Sequence, residues 1–178
     1  MIFENLVVST VAPDGTPALT NAGSERFQGM EVEAGWRPAW LPGLAASAGY
    51  AHHDARFIRF SFLTPDGELR VVDGKRLELV PRDLWNARVS YAPSRGPGAF
   101  VAVRHQGRRP FNRRNTFWAD PFYETDAGVS WEFGWWRASL VGRNLGNSRH
   151  IVAESEVGDS QFYVAPPRRF VGELAFHF

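Results

Sequence analysis

No cysteine occurs in the 178 residues, so the chain can build neither a disulfide framework nor a thiolate metal site. No apolar run approaches the ~18 residues that a membrane helix requires, and the mean hydropathy of -0.29 agrees. Any crossing of a bilayer would therefore have to be made by a closed sheet. A leader is missing as well: Met1-Ile2-Phe3-Glu4 has no basic start, apolar middle or small-residue cleavage site, which leaves a soluble protein or a piece of something longer. An excess of one charge is also lacking. The formal net charge of +1 removes any general pull toward nucleic acid.

Aromatic residues, by contrast, are plentiful at 14%, with seven Trp, and polarity alternates along much of the chain. Successive strand side chains point to opposite faces, so alternation marks a sheet with unlike surfaces. The last stretch shows it well. Phe170, Gly172, Leu174, Phe176 and Phe178 fall on one face, and Val171, Glu173, Ala175 and His177 on the other. The cleanest case is residues 123–133, where Tyr123, Thr125, Ala127, Val129, Trp131 and Phe133 oppose Glu124, Asp126, Gly128, Ser130 and Glu132.

Similar patterns over residues 2–9, 27–36, 44–51, 85–91, 99–106 and 136–143 bring the expected total to about eight strands, with no helical period. The face of residues 99–106 is ambiguous, because Phe100 and Val101 are both apolar.

The expected connections alternate in length. Short turns fall at Leu41-Pro42-Gly43, over residues 94–98 and around Gly134; long loops fall at 10–24, 52–81, 107–120 and 146–167. An up-and-down antiparallel sheet with short turns on one rim and long loops on the other is the layout of outer-membrane barrels. The aromatics gather in two bands, Trp36, Trp40, Tyr91, Trp131, Phe133, Trp135, Trp136, Phe176 and Phe178 toward the short-turn rim and Tyr50, Trp85, Tyr123 and Phe170 toward the other, as interfacial girdles do. A one-residue slip would turn Arg88 and Arg137 toward lipid at roughly 2–4 kcal/mol each near the midplane, so the register is strongly set.

Signals for chemistry are weak. His52-His53-Asp54 could ligate a metal, yet adjacent histidines on a strand point to opposite faces, and a polar strand end is the simpler reading. Glu124, Asp126 and Glu132 are expected to face the lumen as partners of Arg88, Arg137 and Arg143 rather than to act as acids or bases. Gly74-Lys75-Arg76 lacks the upstream glycine and following Ser/Thr of a phosphate loop, and no serine sits in a nucleophile elbow. No catalytic residue, metal site or cofactor is expected, and the chain reads as a non-enzyme.

Several motifs, taken in order, resemble a known family. Asn21-Ala22-Gly23, Gly29-Met30-Glu31-Val32-Glu33, Val80-Pro81-Arg82 leading into Asn86-Ala87-Arg88-Val89-Ser90-Tyr91, Gly142-Arg143-Asn144-Leu145, Pro167-Arg168-Arg169 and the terminal Phe178 are similar to the carboxy-terminal part of a TonB-dependent outer-membrane receptor of the siderophore-receptor kind. The resemblance implies an all-β fold, an antiparallel up-and-down transmembrane β-barrel segment with long extracellular loops and short periplasmic turns, over residues 1–178. Such receptors resemble barrels of about 22 strands closed by a plug. Neither a plug nor a TonB box is recognisable here, so the expectation is a receptor fragment of the bacterial outer membrane that does not transport alone.

The partners the resemblance implies are outer-membrane lipid and lipopolysaccharide, the barrel-assembly machinery, the TonB system through a plug not in this chain, and a ferric siderophore or similarly scarce nutrient. Phe57, Arg59, Arg70, Phe162 and Tyr163, on the longest expected loops, are the candidate ligand contacts. The basic run Arg108, Arg109, Arg113 and Arg114 supplies candidate lipopolysaccharide contacts, and Phe176 with Phe178 the assembly signal. Two alternatives stand beside this. A complete eight-stranded outer-membrane barrel would pair residues 2–9 with 170–178, and a soluble ligand-binding barrel would turn Phe176 and Phe178 inward.

Overall fold

The computed structural model describes residues 2–4, 7–11, 16–21, 23–64, 67–154 and 162–176. Every regular element among them is a strand: β1 (Ile2–Glu4), β2 (Val7–Val11), β3 (Pro17–Asn21), β4 (Gly23–Trp36), β5 (Leu44–Leu63), β6 (Leu69–Val71), β7 (Asp83–Tyr91), β8 (Gly96–Gln106), β9 (Arg109–Pro110), β10 (Trp118–Ala119), β11 (Phe122–Phe133), β12 (Trp136–Arg143), β13 (Ile151–Glu154), β14 (Phe162–Val164) and β15 (Arg169–Phe176). The main sheet runs β1-β4-β5-β7-β8-β11-β12-β15, with β6 alongside β5. Along this path chain neighbours pair antiparallel wherever a short turn joins them. Strands β1 and β15 stand at its two ends, so among the described residues the sheet is not closed and the direct pairing of first and last strands that a complete small barrel requires is not made.

Contacts divide the chain into two compact units, residues 1–30, 52–82 and 108–119 in one and residues 31–51, 83–107 and 120–178 in the other. The second unit shows why alternation forms this sheet. Tyr91, Ala99, Val129, Leu140 and Gly172 lie abreast across five strands, as do Val89, Val101, Ala127, Gly142 and Phe170. Their larger members Val89, Val101, Val129, Leu140 and Phe170 are all exposed. Outward apolar rows of this kind suit lipid. A soluble barrel with its aromatics inside is excluded by the same rows, and Phe176 is exposed with them.

The ambiguous pair resolves cleanly. Val101 belongs to the outward row, whereas the Phe100 ring lies over Gly128 and under the Arg88 guanidinium, 3.9 Å from its centroid. Arg88 therefore stacks on an aromatic ring instead of pairing with a carboxylate. The expected partners do form elsewhere, Arg137 with Glu132 at 3.9 Å and Arg143 with Asp126 at 3.5 Å, while Arg104 takes Glu124. At the short-turn end Trp36 packs on Trp40, Phe133 on Trp136 and Trp135 on Phe176; the opposite band is the row Trp85, His105, Tyr123.

The long connections are not open loops. Residues 10–24 contain the end of β2 and all of β3, and β4 begins at Gly23 rather than at residue 27. The stretch 2–9, expected as one strand, is divided between β1 and β2. Most of all, residues 52–63 of the supposed loop at 52–81 are the outer part of β5, a strand of 20 residues, with β6 returning on it. The first unit's core lies here, Ala55, Phe57, Phe60, Val72 and Leu77, flanked by Phe27, Phe62 and Val80. Polar residues on the far face of β5 mask this apolar side in the sequence. The same backbone economy folds residues 107–120 and 146–167 into the β9–β10 and β13–β14 ribbons, since buried backbone groups must be paired.

Candidate functional site

Two features of the strands hold the loop end in shape. Gly23 opens β4 with φ of 139°, and a Cβ there would lie 1.6 Å from the carbonyl oxygen of Arg59; at Gly29 it would lie 2.1 Å from that of His52. Only glycine lets β4 lie this close to β5, which is the physical content of the Asn21-Ala22-Gly23 and Gly29-Met30 motifs. Asn144 is the second. Its φ is 49°, and it is buried. Its Nδ2 donates to the Ser148 and Pro166 carbonyls at 2.9 Å each, its Oδ1 accepts from the Ser148 amide at 2.8 Å, and its own amide donates to Asp126 at 2.8 Å. One side chain thus ties the end of β12 to both sides of the loop before β15.

The predicted ligand contacts separate. Phe57 is 3% exposed in the core, its ring tilted against Phe60 with centroids 4.6 Å apart, so it packs the core and does not face a ligand. Arg59 is exposed on β5, and Arg70, exposed on β6, pairs with Glu68. Phe162 and Tyr163 are exposed on β14 in the second unit. In the basic run, Arg108 is exposed beside Trp118 and Arg114 is exposed. Arg109 and Arg113 behave otherwise. Arg109 is 2% exposed against Phe111, and burial lowers its guanidinium below the usual arginine range; Arg113 donates to Glu78 at 3.0 Å and faces the Phe60 and Phe62 rings. These two brace the core, a role that a count of positive charges cannot reveal. Phe178 lies outside the described residues.

His52 and His53 do point apart. His53 packs tilted against Phe27, ring centroids 5.0 Å apart, while His52 joins Gln28, Gly29, Met30, Asp54, Arg56, Arg76 and Arg82 around a recess of about 610 Å³. Asp54 is the centre of its charge: Arg56 Nε donates to it at 2.7 Å, and Arg26 and Arg76 stand 3.8 Å away. The hydrogen bond from Arg56 is the main reason that the Asp54 carboxyl sits below its ordinary pKa, with the other arginines adding to it. Sequence reading missed this cluster because its members come from β4, β5 and two turns. Three arginines sharing a face with one aspartate become visible only once the strands are paired.

Among the described residues no group of His, Cys, Asp and Glu is placed to hold a metal ion. In the second unit, Glu124 is buried between Arg104 and His150, whose Nε2 is 3.6 Å away and whose ring lies flat on Phe122. Glu124 is thus held by ion-pair partners on two sides.

Comparison with known proteins agrees with this arrangement. Residues 2–145 match the family model described as TonB dependent receptor-like, beta-barrel. Among solved structures, the siderophore receptor PiuA from Acinetobacter baumannii is similar over 94% of this chain and 24% of its own, at 17% identity and a TM-score of 0.75. The ferric yersiniabactin uptake receptor FyuA from Yersinia pestis is similar over 88% of this chain and 24% of its own, at 25% identity and a TM-score of 0.70. The pyoverdine outer membrane receptor FpvA from Pseudomonas aeruginosa PAO1 is similar over 99% and 26%, at 17% identity and a TM-score of 0.69. The chain spans about a quarter of the length of these structures. No curated protein matches it. An open antiparallel wall with outward apolar rows, matched by a receptor-barrel family over residues 2–145, places the chain in the TonB-dependent receptor-like β-barrel family.

Proposed function

We propose that the chain is wall and loop structure of a bacterial outer-membrane receptor that takes up a ferric siderophore or a similarly scarce nutrient. It acts together with a plug and the TonB system, supplied beyond these residues. The observation that carries this reading is the pair of exposed apolar rows crossing five paired strands, with the ion pairs of Glu132 and Asp126 on the other face. The siderophore and ferric-complex receptors with the same fold support the cargo class. Arg59 and Arg70 offer guanidinium groups to an anionic iron chelate, and Phe162 and Tyr163 offer aromatic faces. Phe176, at the end of an edge strand, together with Phe178, serves as the signal read by the barrel-assembly machinery.

The test is uptake of radioactive iron, delivered as hydroxamate, catecholate and carboxylate chelates, into iron-starved host cells with and without the gene. One chelate class should lose its uptake on deletion. Substituting Arg59→Ala and Arg70→Ala together should then raise the apparent Kd for that chelate at least ~10-fold, since a hydrogen bond to a charged group contributes roughly 1.5–3 kcal/mol. Uptake of all three classes unchanged by deletion would sink the iron-chelate reading.

A further inference from the structure

Toward the short turns of the second unit the outward apolar rows are uneven in height. Ala99 stands abreast of Tyr91, Val129 and Leu140, and Trp131 stands between Pro97 and Ala138. The result is a groove of about 570 Å³ with almost wholly apolar walls. A second recess, of about 380 Å³, adjoins it, and Trp131 lines both. Strand β8 passes from one to the other, with Ala99 and Pro97 in the groove and Gly96 and the preceding Arg95 in the recess. Every residue of the two cavities belongs to the second unit.

The recess has a different chemistry from the groove. Phe133 and Trp135 join Trp131 around it, together with Arg95 and Glu132. Its rings are braced: Phe133 stacks on Trp136 with centroids 5.6 Å apart, and Trp135 on Phe176 at 5.8 Å. Glu132 stands 3.9 Å from Arg137, whereas Arg95 is exposed and has no carboxylate partner among the described residues. One cation, one carboxylate and three aromatic faces beside an apolar groove complement an amphiphile with a zwitterionic head. A guanidinium takes phosphate oxygens, ring faces attract an ammonium, and the groove takes hydrocarbon.

The geometry points to a binding site for one ethanolamine phospholipid at the short-turn rim. Arg95 holds the phosphate, Trp131, Phe133 and Trp135 hold the ammonium, and an acyl chain lies along β8 between Tyr91 and Val129. Short turns of such barrels are periplasmic, so the site meets the phospholipid leaflet. A plain apolar wall would solvate hydrocarbon without choosing a headgroup; this site chooses. The inference rests on the outer-membrane reading above.

The experiment uses the whole receptor carrying this chain, purified in detergent. Dioleoyl phosphatidylethanolamine, dioleoyl phosphatidylglycerol and dioleoylglycerol are titrated in, and native mass spectrometry reads the lipid retained. Gel migration with and without boiling reports the folded barrel. The ethanolamine lipid should bind about threefold tighter than the glycerol lipid, whose head lacks the ammonium. It should bind at least ~10-fold tighter than dioleoylglycerol, which lacks the phosphate. Arg95→Gln should weaken both phospholipids at least ~10-fold and leave dioleoylglycerol unchanged. Ala99→Phe, which fills the groove, should weaken all three lipids by one common factor, ~4-fold for each methylene displaced. The control Arg149→Gln, at the loop end, should change none of them. Arg95→Gln, on an exposed turn, decides the matter alone should Ala99→Phe fail to fold.

Phospholipid binding by Arg95→Gln equal to that of wild type, in protein that still shows heat-modifiable migration, overturns the site while leaving the outer-membrane reading intact. Equal affinity for the ethanolamine and glycerol lipids overturns the zwitterion as occupant in favour of any phospholipid. A wild-type receptor with no heat-modifiable form overturns both readings together.

Discussion

Asn144 provides a sharp test, because one side chain at a left-handed position closes the end of β12 and the loop beyond it. Replacing it with Ala removes three side-chain hydrogen bonds, the two donated by Nδ2 and the one accepted by Oδ1. At about 1 kcal/mol net for each, these amount to about 3 kcal/mol. A φ of 49° on a residue with a Cβ adds about 1 kcal/mol, since Ala cannot bond locally to offset it as Asn does. Asn144→Ala should therefore cost about 4 kcal/mol. Asn144→Gly should cost about 1 kcal/mol less, because glycine occupies that φ freely. Asn144→Asp keeps the acceptor for the Ser148 amide but turns a carboxylate oxygen onto the Ser148 and Pro166 carbonyls beside Asp126, so it should cost at least as much as Ala. The assay is reversible urea unfolding of the intact receptor in lipid vesicles, followed by tryptophan fluorescence and by gel migration. Gly milder than both Ala and Asp is the required outcome. Variants all within 1 kcal/mol of wild type, or Gly as damaging as Ala, would refute the reasoning.

Three further outcomes follow from the geometry. Gly23→Ala sets a Cβ against the Arg59 carbonyl, a backbone group that cannot swing away, and should cost upward of about 4 kcal/mol, seen as loss of the heat-modifiable band. Leu140→Arg puts a charge in the outward row and should cost about 2–4 kcal/mol in vesicle folding titrations, whereas Ser139→Arg, facing the other way, should cost well under half as much. Glu25 has its pKa raised, first by burial and then by the neighbouring Glu78, against an opposing pull from Arg113. A raised carboxyl binds a proton more readily folded than unfolded, so the wild type loses stability as pH rises from its ordinary value through the raised one. Glu25→Gln should accordingly be the more stable protein at neutral pH, with the gap closing below the usual glutamate range; a gap that widens on acidification would contradict the assignment.

How far the sequence reaches is visible in particular residues. Phe122–Phe133 alternates so cleanly that its faces, its turn at Gly134 and its partner Trp136–Arg143 were legible unaided. The alternation of Phe170, Leu174 and Phe176 against Glu173 likewise settled the last strand. Period-2 polarity is a local property, and the chain displays it wherever one face meets a uniform medium. The family resemblance was readable in short motifs around Gly23, Gly29 and Asn144, although what demands them, the Arg59, His52 and Pro166 carbonyls, lies far along the chain.

Beyond that reach, tertiary structure decided. Residues 52–63 carry too many polar side chains to look like strand, yet they are the outer half of β5, because their apolar partners arrive from Val72 and Leu77. Phe57 reads as a loop aromatic and is core. Arg109 and Arg113 read as surface charge and are braces. The recess at Asp54 depends on Arg26, Arg56, Arg76 and Arg82, which are separated by up to 56 positions and meet only through strand pairing and the Asn115 bridge. Sequence by itself determined which side of the cleanly alternating strands is apolar, since that follows from alternation alone, whereas residues 99–106 and the outer part of β5 needed their paired neighbours. Which polar residues gather, and which aromatic rings are buried, depends on contacts between distant segments, and those exist only once the sheet has formed.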